Sequence, residues 1–193
     1  MNVQHINIKF FIENAEAVNL ADYAAVFNSW IQRHALDELL IDVADYLHVH
    51  HGPGIMLIGH EADYSLDQRA GRLGLLYNRK AQLEGTTQEK LAQAVSATLR
   101  AAQLLEKENG LRFNASEAQV IVNDRLLVPN ITETFESLEP DLGAFFDRLY
   151  NDADYALTHH ADPRERFTVN IKTAVQFDVE TLLKNLTGET AHA

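Results

Sequence analysis

The chain has 193 residues, 46% apolar and 23% charged, and 28 acids against 16 lysines and arginines give a net charge of −12. This is the composition of a soluble globular protein, long enough for one good core or two small ones that share an interface. The absence of cysteine excludes disulfides, thiol nucleophiles, zinc ribbons and iron–sulfur clusters, and no apolar run reaches the roughly 18 residues of a membrane span.

MNVQHINIKFF lacks the basic segment and apolar core of a secretion signal, so a cytoplasmic protein is expected. Residues 1–68 hold ten acids and two bases, Lys9 and Arg33, a balance that repels phosphate backbones and argues against a nucleic-acid partner. In VQHINIKFFIE, Ile6, Ile8, Phe10 and Ile12 alternate with polar residues and predict a strand. Asn19 then caps a helix carrying Leu20, Tyr23, Phe27, Trp30 and Ile31 and ending near His34.

ELLIDVADYLHV and GIMLIGHE flank HHGP and predict a hairpin with its tip at His50–Pro53. Placing Val49 opposite Gly54 sets His48 against Ile55 and His60 against Val43. A strand is expected from Arg72 to Lys80. Thr86 and Glu89 then form a capping box for a long helix that Gly110 stops. AQVIVNDRLLV suggests two short strands joined at Asn123-Asp124. Asn130 and Glu133 cap a helix with Phe135, Leu138, Leu142, Phe145, Phe146 and Leu149 on one face. Strands over 154–158 and 166–173, a helix over 178–186 and a frayed tail, TGETAHA, complete the chain.

The halves resemble each other. DYSLDQRAGRLGLLYNRKA from Asp63 aligns with DYALTHHADPRERFTVNIKTA from Asp154, and FFIEN from Phe10 aligns with LLVPN from Leu126. Matched helix positions, Leu20 and Leu138, differ by 118 residues, whereas the Asp-Tyr pairs differ by 91. The first half therefore holds an insertion of about 27 residues. The expected fold is α+β: antiparallel sheet with helices on one face, a tandem ferredoxin-like βαββα duplication. Residues 1–112 form the first half, with an inserted hairpin at about 36–62, and 113–193 form the second, tightly fused to it. Paired halves place the default pocket at their junction.

The insertion carries the chemistry-bearing residues. His60, Glu61 and Asp63 follow an apolar strand, where a histidine near carboxylates suits acid–base catalysis. Asp42, Gly54, Tyr64 and Arg72 are candidate ligand contacts around the same strands. His48 and His50 form a His-x-His pair, and His159 and His160 occupy the corresponding turn of the second half. Together the four make a candidate divalent-metal set, although His48 and His60 are too far apart in the expected register to share an ion. The competing reading is that these are solvated turn histidines, because no HExxH string, phosphate loop or nucleophile elbow is present. No cofactor is identified. In IMLI, residues 55–58, apolar side chains point to both sheet faces. A second covering surface is therefore needed, the other half or a second copy in a homodimer.

Gly52-Pro53-Gly54, Leu57-Ile58-Gly59-His60-Glu61, Asp63-Tyr64 and Asn123-Asp124-Arg125 together resemble an uncharacterised group of bacterial proteins. The resemblance implies a soluble bacterial protein and supplies no activity. Three functions remain open: a protein binding a small-molecule ligand between its halves, a metal-dependent or His/carboxylate acid–base enzyme, and an oligomeric scaffold.

Overall fold

A computed structural model describes residues 3–188. Most of the tail TGETAHA, from Glu189 on, lies outside the described residues. In chain order the elements are β1 (Ile6–Ile12), α1 (Tyr23–Arg33), β2 (Leu40–Tyr46), β3 (Gly54–Gly59), β4 (Ala62–Asp67) and β5 (Gly74–Arg79). There follow α2 (Thr87–Asn109), β6 (Phe113–Val122), α3 (Thr132–Leu149), β7 (Tyr155–His159), β8 (Phe167–Thr173) and α4 (Val179–Thr187). All eight strands join one antiparallel sheet in the order β2-β3-β4-β5-β1-β6-β8-β7. No described helix is long and apolar enough to cross a membrane.

The alternation read in β1 decides how the layers stack. Ile6, Ile8, Phe10 and Ile12 share one apolar cluster with the inward residues of all four helices, among them Trp30, Leu99, Phe146 and Leu182. Asn7, Lys9 and Phe11 point to the opposite face yet are also buried. That open face has its own neighbours, Ser65, Asp67, Leu76 and Ile121. Leu76 and Ile121 lie outside the main cluster, consistent with their place in the register beside Lys9 and Asn7.

Asn19 does not cap α1, which starts at Tyr23; its Nδ2 donates to Asp22 Oδ1 instead, and most other local signals act as expected. The Thr86/Glu89 capping box is closed in both directions, and His34 and Gly110 end their helices in the left-handed conformation. The inserted hairpin differs in register. Tyr46, not Val49, pairs with Gly54, and a bulge at Ile41 shifts the far end. Asp45 explains the early stop: its carboxylate accepts from the Leu47 amide at 2.8 Å, an Asx turn that pulls the chain out of the strand. Turns closed by Val49 N to Tyr46 O and Gly52 N to Val49 O then form the loop.

Residues after Asn123 also differ from expectation. β6 is a single strand, and RLLV forms no partner strand: Leu126 and Leu127 are exposed and only Val128 is buried. Asp124 accepts from the Leu127 amide and its carbonyl from the Val128 amide, a local turn that outcompetes hairpin pairing. Asn130 does not cap α3. Its Nδ2 donates to the carbonyls of His160 and Asp162, and the helix starts after Ile131.

Candidate functional site

Tyr64 and Tyr77 are directly opposed on β4 and β5, on the helix side of the sheet. Their rings meet edge to face at 5.2 Å. Two buried tyrosines in one place require hydroxyl partners. Gln93 of α2 supplies one, its Nε2 donating to the Tyr77 hydroxyl at 3.0 Å. The Tyr77 hydroxyl faces Glu38 Oε1 at 3.3 Å, and Arg79 Nη1 lies 3.7 Å from the same oxygen. Arg79 also holds Glu61 at 2.9 Å.

Glu38 is the focus of this network. Its side chain is 12% exposed, and among the described residues its buried Oε2 closes no hydrogen bond. Burial pushes its carboxyl pKa above the ordinary range, and the negative charge of Glu61 adds to the effect. The Tyr64 hydroxyl, the Arg79 charge and the Tyr77 hydroxyl pull the other way. Tyr64 and Tyr77 are themselves raised, by burial first and by Glu38 among the other causes. Both remain neutral donors.

Glu38 opens onto a cleft of about 230 Å³ whose walls include Leu36, Tyr64, Gln93 and Ala97. At its rim, Asp37 and Arg100 pair at 2.6 Å with both side chains largely in solvent. The cleft is built within the first half, between α2 and the segment leading into β2, and not from both halves. A buried carboxyl flanked by two phenols can accept a hydrogen bond from a ligand, pair with a cation, or move a proton.

The residues singled out from sequence fall in separate places. Tyr64 lines the cleft. Glu61 is one ion pair away through Arg79. Asp63 points to the open face, is buried, and pairs with Lys80 at 2.6 Å. His60 is exposed in the β3–β4 turn, so His60, Glu61 and Asp63 do not converge. Asp42 is exposed on β2 and accepts from the Val43 amide. Gly54 has a backbone role: its φ is +64°, and an added Cβ would lie 2.3 Å from the Leu66 carbonyl oxygen.

Arg72 belongs to an open-face cluster. It stacks 3.5 Å over the Phe11 ring and pairs with Glu117 at 2.6 Å. Beside it, buried Lys9 pairs with Asp67 at 2.7 Å and donates to the Arg72 carbonyl. Burial, ahead of the neighbouring charges, lowers the Lys9 pKa, while Asp67 opposes this.

His48 and His50 are exposed in the loop beyond β2, not on a strand, so strand geometry does not align them. His159 lies on the opposite edge strand, β7, packed against Phe135 and Phe167, with Nε2 2.7 Å from Asn130 Oδ1. Burial, then the His160 charge, lowers its pKa. His160 is exposed. Among the described residues, no group of three or more His, Asp or Glu side chains is arranged to hold a metal.

Glu38, Tyr77, Arg79 and Gln93 escaped the sequence reading because no two form a short motif. The available signal was a pair of tyrosines at core-facing strand positions, each needing a polar partner. Searches of family models, curated proteins and solved structures return no match to this chain.

Proposed function

We propose that this protein binds a small ligand carrying an amine or another strong hydrogen-bond donor, with Glu38 as its acceptor. The observation that carries this reading is the buried Glu38 carboxyl at the cleft, whose Oε2 closes no hydrogen bond among the described residues, with the Tyr64 hydroxyl as a nearby competing donor. A buried carboxylate oxygen short of well-aligned donors is costly, and a ligand donor would reduce the cost. The cleft is smaller than the usual roughly 300–1,000 Å³ of ligand pockets, so the ligand is small or inserts only its head group. The test is titration of the full chain with ethanolamine and putrescine at fixed ionic strength, followed by calorimetry. Saturable binding that Glu38→Gln abolishes and Asp42→Asn leaves unchanged is expected. Non-saturating heats, equal in all three proteins, would mean that the acidic chain only attracts cations.

The second reading is acid–base catalysis with Glu38 as the proton-transfer group, favoured by its raised pKa. It places the chemistry on Glu38 in place of His60, Glu61 and Asp63.

We also propose that the two halves are an internal duplication. The order β4-β5-β1 on one side of the β1–β6 pair is mirrored by β7-β8-β6 on the other. In the second half, β7, the strand after α3, runs parallel to β6 with antiparallel β8 between them; in the first half the β2–β3 hairpin follows α1, and β4 takes the corresponding place, parallel to β1 with antiparallel β5 between them. This order supports the reading of the halves as two split βαβ units of ferredoxin-like type.

A homodimer through β2 is a further proposal. This edge strand and its flanks expose Leu39, Ile41, Tyr46, Leu47 and Val49, a surface prone to pairing with another strand. Sedimentation of the wild type and Ile41→Lys tests it. A dimer that the variant splits supports this surface, and a wild-type monomer at micromolar concentration removes the proposal.

A further inference from the structure

Four cations among the described residues are withdrawn from solvent: Lys9, Arg79, Lys90 and Arg166. Lys9 has Asp67, Arg79 has Glu61, and Lys90 donates to the Val3 carbonyl. Arg166 differs. Among the described residues no carboxylate lies within 4 Å of its guanidinium, and its side chain makes no hydrogen bond. A half-buried guanidinium carries five donors and a fixed charge, and leaving both unmatched is unfavourable.

Arg166 lines a cleft of about 270 Å³ at the end of β8. The cleft is stiff where it matters. Asn130 ties the carbonyls of His160 and Asp162 and binds the His159 ring, fixing the turn that forms one wall. Asn170 forms another part of the lining. Its Oδ1 accepts from Gln119 Nε2 at 2.7 Å, which leaves its own Nδ2 as a donor without an acceptor among the described residues. His160 adds an exposed ring at the rim.

Two acids share the lining and need accounting. Asp162 is neutralised by Arg164, which reaches both carboxylate oxygens, at 3.0 and 2.8 Å. Those bonds hold the Asp162 carboxyl at about 2, so it stays an ion pair at neutral pH. Glu165 is exposed and sits beyond ion-pair distance of Arg166, an internal competitor that has not closed on it. Burial, followed by the Arg69 charge, disfavours the charged guanidinium, while Asp67 and Glu165 favour it.

We propose that this cleft is a second binding site, selective for an oxyanion, with Arg166 as the ion-pair partner and Asn170 Nδ2 as an added donor. A phosphate or a carboxylate group presents the paired oxygens that a guanidinium recognises. The net negative charge of the chain does not prevent this, because charges beyond roughly 8–10 Å are screened at physiological salt.

The test is calorimetric titration of the full chain with inorganic phosphate and, separately, acetate, with sodium chloride holding ionic strength constant. Wild type is expected to saturate with at least one of them, and Arg166→Gln to lose at least tenfold in affinity. Glu165→Gln is expected to bind several-fold more tightly. Arg166→Gln should melt at or above the wild-type temperature, because it deletes an unpaired charge, so loss of binding will not reflect unfolding. Saturation by phosphate alone assigns a phosphoryl ligand, and saturation by acetate alone a carboxylate. No saturation by either, or equal binding by wild type and Arg166→Gln, overturns the proposal.

Discussion

Lys9 and Asp67 show how much depends on single side chains in this protein. The side chains are 2% and 1% exposed and 2.7 Å apart, so removing one partner leaves a buried charge uncompensated. Asp67→Ala should cost roughly 3–5 kcal/mol in urea denaturation, and Lys9→Met/Asp67→Leu should recover most of that loss. Glu38 sets a different expectation, in pH. Its pKa is raised in the folded state above the ordinary glutamate value of about 4.5, so between that value and the folded pKa the native protein binds more protons than the unfolded chain. Its contribution to stability is therefore fully present below about 4.5 and lost as pH rises through the folded pKa. Glu38→Gln should flatten this part of the stability–pH curve and stabilise the protein at pH 7 relative to wild type. Equal slopes for both proteins would show that Glu38 keeps an ordinary pKa.

Among the elements, α2 and the inserted hairpin rest on different kinds of local control. The capping box of α2 satisfies two helix-end amides through Thr86 and Glu89, and Thr86→Ala should cost about 1 kcal/mol with the fold intact. The hairpin depends on Gly54, where backbone sits against backbone. Gly54→Ala should cost more than the cap, because the Leu66 carbonyl cannot yield without disturbing the β3–β4 pairing. The capping box was legible because its partners are three residues apart. The hairpin register was not, because apolar alternation permits several pairings, and the Asx turn at Asp45 chose among them.

At the scale of the whole molecule, one sheet and one apolar cluster link both halves. β1 and β6 pair in the middle of the sheet, and Trp30 of α1 shares the cluster with Leu142 of α3. The chain should therefore unfold in one step. Leu142→Ala, in the second half, should destabilise by roughly 2–5 kcal/mol and shift the fluorescence of the sole tryptophan, Trp30, together with far-ultraviolet circular dichroism. Separate transitions would show that the halves unfold independently.

The amino-acid sequence alone determined the α+β class, the amphipathic face of each helix, the capping box of α2 and the half-buried β1. These follow from periods of 2 and 3.6 residues and from contacts a few positions apart. Tertiary structure decided the rest. It buried both faces of β1, joined Lys9 to Asp67 across 58 residues, and brought Glu38, Tyr77 and Gln93 together from three elements. It also separated His60 from Asp63 and left Arg166 without an ion-pair partner among the described residues. Such outcomes depend on strand register and on which side chains burial deprives of water, and neither is a property of a short stretch of chain.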